Sequence, residues 1–171
     1  MTLAAGSTIG IIGGGQLGRM LGIAAARLGY GTVVLEPQAD CPAAATCNRH
    51  IEAAYDDAAA LEELARACDV VTYEFENVPV GAARALENSV PVFPPPAALD
   101  AAQDRLVEKD FLNKAGQVTA PYRAVDSDAD LAAALQAFGG DGVLKTRRLG
   151  YDGKGQRVFR GAGTSDADGV F

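Results

Sequence analysis

From Thr8 onward the chain alternates short β-branched apolar runs with longer stretches of alanine, leucine and charge. Thr8-Ile-Gly-Ile-Ile12 is too short and too branched for a helix and predicts a strand. It runs into Gly13-Gly14-Gly15, and Gln16 to about Leu28 predicts a helix ended by Gly29 and Gly31. Thr32-Val-Val-Leu35 predicts a second buried strand, and a shorter run near His50 to Ala53 a third. Asp57 is placed to cap a helix through Ala67, with Leu61 and Leu64 on one face. Val70-Val-Thr-Tyr73 predicts the fourth strand, Pro79 to Glu87 a helix opening on proline, and Val90-Pro-Val-Phe93 the fifth strand. Continuous apolar strands separated by helices imply a parallel sheet covered on both faces.

Pro94-Pro95-Pro96 interrupts this alternation, and a domain boundary is expected shortly afterwards. A polar helix is predicted from about Asp104 to Lys114, and Ser127 with Asp130 resembles a capping box for a helix to Phe138. Gly142-Val-Leu-Lys145 and Arg157-Val-Phe159 predict a strand-loop-strand hairpin. The pattern therefore predicts an α/β chain: a Rossmann-like parallel-sheet domain over residues 1–100, then the start of an α+β domain over 101–171. No internal repeat is visible, and Gly161 to Phe171 carries no convincing element.

Composition narrows the function. Apolar residues are 49% of 171, enough for a core, and the formal charge of −7 argues against non-specific nucleic-acid binding. Any phosphate site must be local. Cys41, Cys47 and Cys68 are irregularly spaced, with no CxxC and with His50 as the single histidine; reduced thiols are expected rather than disulfides or zinc. Cys47 with His50 as a nucleophile pair is conceivable, ordinary packing the preferred reading. Met1 to Ser7 lacks a basic leader, and no apolar stretch approaches the ~20 residues a membrane span needs. A cytoplasmic protein is expected.

Two glycine loops carry the candidate chemistry. Gly13-Gly-Gly15-Gln-Leu-Gly18 satisfies G-x-G-x-x-G between a strand and a helix. There Gly15 admits close backbone approach, Gly18 lets helix and strand pack, and the helix N-terminus offers N–H groups to an anion. Glu36 follows 18 residues after Gly18, where a dinucleotide-binding protein holds a ribose hydroxyl. A nicotinamide or flavin enzyme is thus one reading, and a tight turn without ligand another. The second loop, Lys145-Thr-Arg-Arg-Leu-Gly150-Tyr-Asp-Gly153-Lys-Gly155-Gln156, is not a Walker A loop. Its glycines can still fold backbone N–H groups over phosphates, with Lys145 fixed at a strand end and Lys154 on the loop. A solvated surface hairpin is the plain alternative.

The run Val143-Leu-Lys-Thr-Arg-Arg-Leu-Gly-Tyr-Asp-Gly-Lys-Gly-Gln156 closely resembles the nucleotide-covering loop of the N5-carboxyaminoimidazole ribonucleotide synthetases, ATP-grasp ligases of purine biosynthesis. Gly13-Gly-Gly-Gln-Leu-Gly-Arg-Met20, Asp69-Val-Val-Thr-Tyr-Glu-Phe-Glu-Asn-Val-Pro79 and Gln103-Asp-Arg-Leu-Val-Glu-Lys109 resemble the same family in order and spacing. Four motifs in register, from about Thr8 to Phe159, are far more specific than one.

The resemblance implies a pre-ATP-grasp domain over 1–100 and an incomplete ATP-grasp domain over 101–171. It also implies a reaction in which ATP and bicarbonate form carboxyphosphate and carbon dioxide is captured by the amine of 5-aminoimidazole ribonucleotide. Arg105, Lys145, Gly150, Tyr151, Asp152, Gly153, Lys154, Gly155 and Gln156 are the implied ATP contacts. Gly15, Gln16, Leu17, Glu74, Glu76, Tyr151 and Lys154 are the implied ribonucleotide contacts, with Gln16 and Leu17 near the phosphate and Glu74, or its neighbour Glu76, at the ribose hydroxyls. Glu36 is then structural. Relatives hold Mg2+ and adenine with residues well downstream of the loop. Asp166 and Asp168 are not read as metal ligands, and the catalytic residues are expected beyond Phe171. The chain alone is therefore expected not to turn over, and the full-length protein to form a homodimer.

Two other readings remain. A nicotinamide-dependent oxidoreductase uses the first loop and Glu36 but leaves Lys145 to Gln156 without a purpose, and a non-catalytic nucleotide-binding module needs no further residues. A sister ATP-grasp enzyme acting on glycinamide ribonucleotide shares the layout, but Tyr73-Glu-Phe-Glu-Asn77 and Gly150-Tyr-Asp-Gly153 fit the aminoimidazole enzymes better.

Overall fold

The β-branched runs pair as parallel strands. In the computed structural model, which describes residues 2–150, 154–161 and 163–164, β1 (Thr8–Ile12), β2 (Gly31–Leu35), β3 (Arg49–Ile51) and β4 (Val70–Tyr73) form a sheet of order β3-β2-β1-β4. Every pairing is parallel, with Ile12 opposite Leu35 on one side and Tyr73 on the other. The chain divides into two compact units, Met1–Asp100 and Ala101–Phe171.

In the first unit both faces of the sheet are covered, which explains strands without polar alternation. Ile12, Val33, Leu35 and Val71 pack in one cluster with Leu61 and Leu64 of α2 (Ala58–Ala67) and Ala82, Ala83 and Leu86 of α3 (Val80–Glu87). Asp57 caps α2 through Ala60 N–H, as its position predicts. On the opposite face Val34 meets Cys41 and Ala43, the latter in a single 3-10 turn, Pro42–Ala45. Helix α1 (Gln16–Arg27) turns its small residues, Gly18, Gly22 and Ala25, inward. Its outward side is the apolar one, with Leu17, Met20, Leu21, Ile23 and Leu28 all exposed.

Two expectations change. The fifth strand is reduced to one parallel bridge, Val71 to Val92, in which Val71 N–H donates to Pro91 O and Phe93 N–H to Val71 O. Pro91 and Pro94 lack the N–H groups that would extend the ladder. An unpredicted helix α4 (Pro96–Gln103) follows the prolines, its first position filled by Pro96 and its anchor by Leu99, 1% exposed in the core of the first unit. Proline suits a first helical turn, where its missing N–H has no helical partner to lose.

The second unit contains α5 (Arg105–Lys114), α6 (Asp128–Ala137) and an antiparallel sheet of β5 (Gly142–Lys145), β6 (Gln156–Arg160) and a two-residue β7 (Gly163–Thr164). The hairpin was predicted; β7 was not. Asp104 caps α5 through Leu106 and Val107 N–H. Ser127 caps α6 through Asp130 N–H, while its hydroxyl donates to Asp130 and holds that carboxyl below its ordinary range. Among the described residues of this unit only Ala134 and Phe159 are buried, and Phe111 is 58% exposed.

This contrast predicts where stability resides. Leu64→Ala, at a side chain 0% exposed, lowers the urea-unfolding free energy by about 3 kcal/mol. Phe111→Ala changes it by less than about 1 kcal/mol; equal losses contradict the assignment of the core.

Candidate functional site

A parallel sheet opens a crevice where neighbouring strands send their connections to opposite sides. Here β1 leads through α1 to β2, whereas β4, on the other side of β1, leads into α3. Gly13 to Gly15 leave β1 at that point, and Glu74 leaves β4 with its N–H on Ile12 O at 3.0 Å. The Glu74 carboxylate then bridges the gap. Its Oε1 accepts Gly15 N–H and its Oε2 accepts Gly18 N–H, each at 2.7 Å. A helix start leaves four N–H groups without helical acceptors, here those of Gly15 to Gly18. Glu74 takes the outer two. Those of Gln16 and Leu17 have no acceptor among the described residues and remain for a ligand.

A negative group here is favoured by the helix dipole, by up to ~2 kcal/mol when partly buried. The fit is close: Gly13 has φ +106°, and a Cβ there would fall 2.4 Å from Glu74 Cγ. A Cβ at Gly18 would lie 2.6 Å from Gly13 O, the tight helix–strand contact the motif predicts. Glu76, by contrast, is exposed.

Glu36 is more fully committed, with three donors against the two of Glu74. Its Oε2 accepts Gly14 N–H at 2.8 Å and Tyr55 Oη–H at 2.5 Å, and its Oε1 accepts Gln38 N–H at 3.2 Å. A carboxylate that already accepts three protein donors is poorly placed to hold the adenosine ribose of a dinucleotide, which removes the main support for the oxidoreductase reading. Glu36 and Glu74 line a cleft of about 160 Å³ together with Gly14, Gly15, Tyr55 and Phe75. With two carboxylates, the cleft presents acceptors and suits a ligand face that donates hydrogen bonds.

The cysteines are free thiols. Burial, then the neighbouring Asp69, pushes Cys68 up to about 12, and burial also raises Cys47. Both are therefore weak nucleophiles at neutral pH. Nor do Cys47 and His50 act as a pair: His50 Nε2 is engaged with Glu36 O at 2.9 Å.

The second corner is built by the start of α5 and the hairpin. Lys145 and Gln156 are directly opposite on β5 and β6, so their side chains share one face. Arg147 and Arg148 are paired with Asp126 and Asp104, at 2.6 and 3.8 Å. Lys145, exposed, has no salt bridge among the described residues. Arg105 is tied to the loop: its N–H donates to Arg147 O at 3.0 Å and its Nη2 to Gly150 O at 2.5 Å. Gly155, at φ +68°, closes the other stem, where a Cβ would meet Thr146 Oγ1 at 2.6 Å. Leu149 has φ 63°, a left-handed conformation costing a non-glycine residue about 1–2 kcal/mol. Lys154 is exposed. Tyr151, Asp152 and Gly153, with Asp166 and Asp168, lie outside the described residues.

The structure thus gathers Gly15, Gln16, Leu17 and Glu74 at one corner, and Arg105, Lys145, Gly150, Gly155 and Gln156 around the other loop. Tyr55, Phe75 and Thr146 were not anticipated. Tyr55 and Phe75 are a ring pair with centroids 5.7 Å apart, a contact with no signature in local spacing. Thr146 stands inside the second motif, between two basic positions that attract more notice.

Comparisons with known proteins assign the chain to a family. The ribonucleotide synthetase preATP-grasp domain profile matches residues 6–103, and the ATP-grasp domain profile residues 110–167. An N5-carboxyaminoimidazole ribonucleotide synthase of Brucella melitensis is 66% identical over 155 residues, 91% of this chain and 43% of that protein. The Staphylococcus aureus N5-carboxyaminoimidazole synthetase, crystallised with ADP, superposes with a TM-score of 0.89 at 42% identity, over 94% of this chain and 43% of that one. The Aspergillus clavatus enzyme, in complex with ADP and 5-aminoimidazole ribonucleotide, gives 0.75 at 30% identity, over 84% of this chain and 39% of that one. The chain spans about two-fifths of the length of the relatives it matches. With more than half its residues inside the first profile, the chain belongs to the ribonucleotide synthetase preATP-grasp family, here continued by the start of an ATP-grasp domain.

Proposed function

We propose that this chain carries the ribonucleotide-binding and ATP-binding loops of an N5-carboxyaminoimidazole ribonucleotide synthase. In that reaction bicarbonate attacks the γ-phosphorus of ATP, giving carboxyphosphate and ADP. Carboxyphosphate releases carbon dioxide and phosphate, and the exocyclic amine of 5-aminoimidazole ribonucleotide captures the carbon dioxide, losing a proton as the N–C bond forms. The observation that carries the reading is the pairing of two separate loops: one ends in the open Gln16 and Leu17 amides beside Glu74, the other carries Lys145 with no salt bridge to a described residue.

On this reading Glu74, whose carboxylate already spans the loop, offers its remaining lone pairs to the ribose hydroxyls, with Glu76 at the rim. Gly15 supplies the close approach. The Gln16 and Leu17 amides take the phosphate. Lys145 and Arg105 face the ATP phosphates, and Gly150, Tyr151, Asp152, Gly153, Lys154, Gly155 and Gln156 cover them. Fixed cations and backbone donors offset charge on the transferred phosphoryl group, the chief demand of such a transfer. Among the described residues no three His, Cys, Asp or Glu side chains converge, and none is assigned to Mg2+. No helix among the described residues is long and apolar enough to cross a membrane. That, with the family's metabolic role, supports a cytoplasmic protein, and the exposed apolar face of α1 is compatible with a homodimer of the full-length enzyme.

Isothermal titration tests the reading directly. ATP or ADP binds the chain and NAD does not; the reverse order contradicts it. Lys145→Ala weakens ADP binding by about tenfold, the loss expected for one charge-assisted contact, and unchanged affinity removes the role assigned to Lys145. Glu74→Ala weakens 5-aminoimidazole ribonucleotide by a similar factor while leaving ADP affinity unchanged; an equal loss for both ligands contradicts two separate sites.

A further inference from the structure

Glu36 and Tyr55 have no part in the reading above, yet Glu36 accepts three hydrogen bonds at the first corner and Tyr55 donates one of them. Tyr55 stands after β3, Glu36 at the end of β2, and Phe75 just beyond β4. The Tyr55 hydroxyl donates to the same Glu36 oxygen that accepts Gly14 N–H. Its ring leans on Phe75 at 5.7 Å, the residue that follows Glu74. One side chain thus spans the sheet from the end of β2 to the end of β4, past the glycine loop of β1.

The loop is held from both sides. Glu36 grips Gly14, Glu74 grips Gly15 and Gly18, and the Gln16 and Leu17 amides have no acceptor among the described residues. A Cβ at Gly14 would fall 2.6 Å from Glu36 Cγ and 2.5 Å from Cys41 Sγ, so the loop lies directly against the carboxylate stem. Without the phenol, the Glu36 oxygen loses one of two donors in a half-buried position, and water competes for the carboxylate. Gly14 then loses the fixed acceptor that sets its height. Burial, and then the bond to Glu36, pushes the Tyr55 hydroxyl well above its ordinary value, so it remains a donor throughout the neutral range.

We propose that Tyr55 and Glu36 are positioning residues of the ribonucleotide site: Tyr55 locks Glu36 onto Gly14 N–H, and this lock sets the Gln16 and Leu17 amides for the ligand. The proposal rests on the ribonucleotide reading of the first loop and adds the residues that hold that loop in place. It also gives the acid at the end of β2 a purpose other than the dinucleotide ribose.

The test is a double-variant cycle read by titration with 5-aminoimidazole ribonucleotide and, separately, ADP. Tyr55→Phe keeps the ring against Phe75 and removes only the hydroxyl. It weakens ribonucleotide binding on the order of tenfold, the size of one hydrogen bond to a charged group, and leaves ADP binding unchanged. Glu36→Gln weakens it at least as much, and the two together lose no more than Glu36→Gln alone, because Tyr55 acts only through Glu36. Losses that multiply, or a Tyr55→Phe variant that binds like the unaltered chain, overturn the proposal while leaving the ribonucleotide reading intact. Failure of the unaltered chain to bind the ribonucleotide overturns that reading, and the proposal with it. The Gly14 amide proton, followed by NMR without ligand, gives a second readout: Tyr55→Phe shifts it upfield, and an unmoved resonance overturns the lock.

Discussion

The first unit is organised around one electrostatic constraint: a glycine loop and helix start that expose amide donors must be given acceptors. Glu36 and Glu74 supply them from the two strands flanking β1, reaching across 22 and 59 residues of sequence. Glu74 accepts two loop N–H groups at 2.7 Å and Glu36 one at 2.8 Å, bonds stronger than those between neutral groups. The sheet order serves the same need. With β1 between β2 and β4, one acid arrives from each side, and the crevice opens between them. The four glycines of the loop are the consequence, since the Glu36, Glu74 and Cys41 side chains and the Gly13 carbonyl occupy the space a Cβ would need.

The second unit solves a different problem with different means. It places Lys145 at the end of β5 with no salt bridge among the described residues, while its neighbours Arg147 and Arg148 are neutralised by Asp126 and Asp104. The loop's stems are set by Arg105 on Gly150 and by Thr146 under Gly155. Few side chains are buried here among those described, so local hydrogen bonds and caps carry a larger share of the order than they do around β1. One corner offers acceptors and two amides, the other offers charge. That asymmetry matches a sugar with hydroxyls to donate at the first and a polyphosphate at the second.

Much of the fold was legible because its signals are local. Strand runs, the Asp57 and Ser127 caps and the proline-opened helix each reside within a few residues, and the structure places them within one or two positions of expectation. What failed was also local chemistry, misjudged: Pro91 and Pro94 shorten the fifth strand to a bridge, and Pro96 starts a helix that was not expected there. At the site, the residues in glycine motifs could be named in advance. The use of Glu74 could not, because its partners are backbone amides 56 and 59 residues away. Glu36 shows the hazard most clearly. Its spacing from Gly18 fits a dinucleotide-binding fold, and only the three donors around it reveal that the carboxylate is already in use.

The central claim is that two loops in one chain take two chemically different ligands. Amide chemical-shift mapping of the 15N-labelled chain addresses it most directly. The account predicts that 5-aminoimidazole ribonucleotide moves the resonances of Gly15, Gln16 and Leu17, and that ADP moves those of Lys145 and of Gly150 through Gln156. If ADP perturbs the first loop, or both ligands perturb the same set of amides, the division of labour is contradicted.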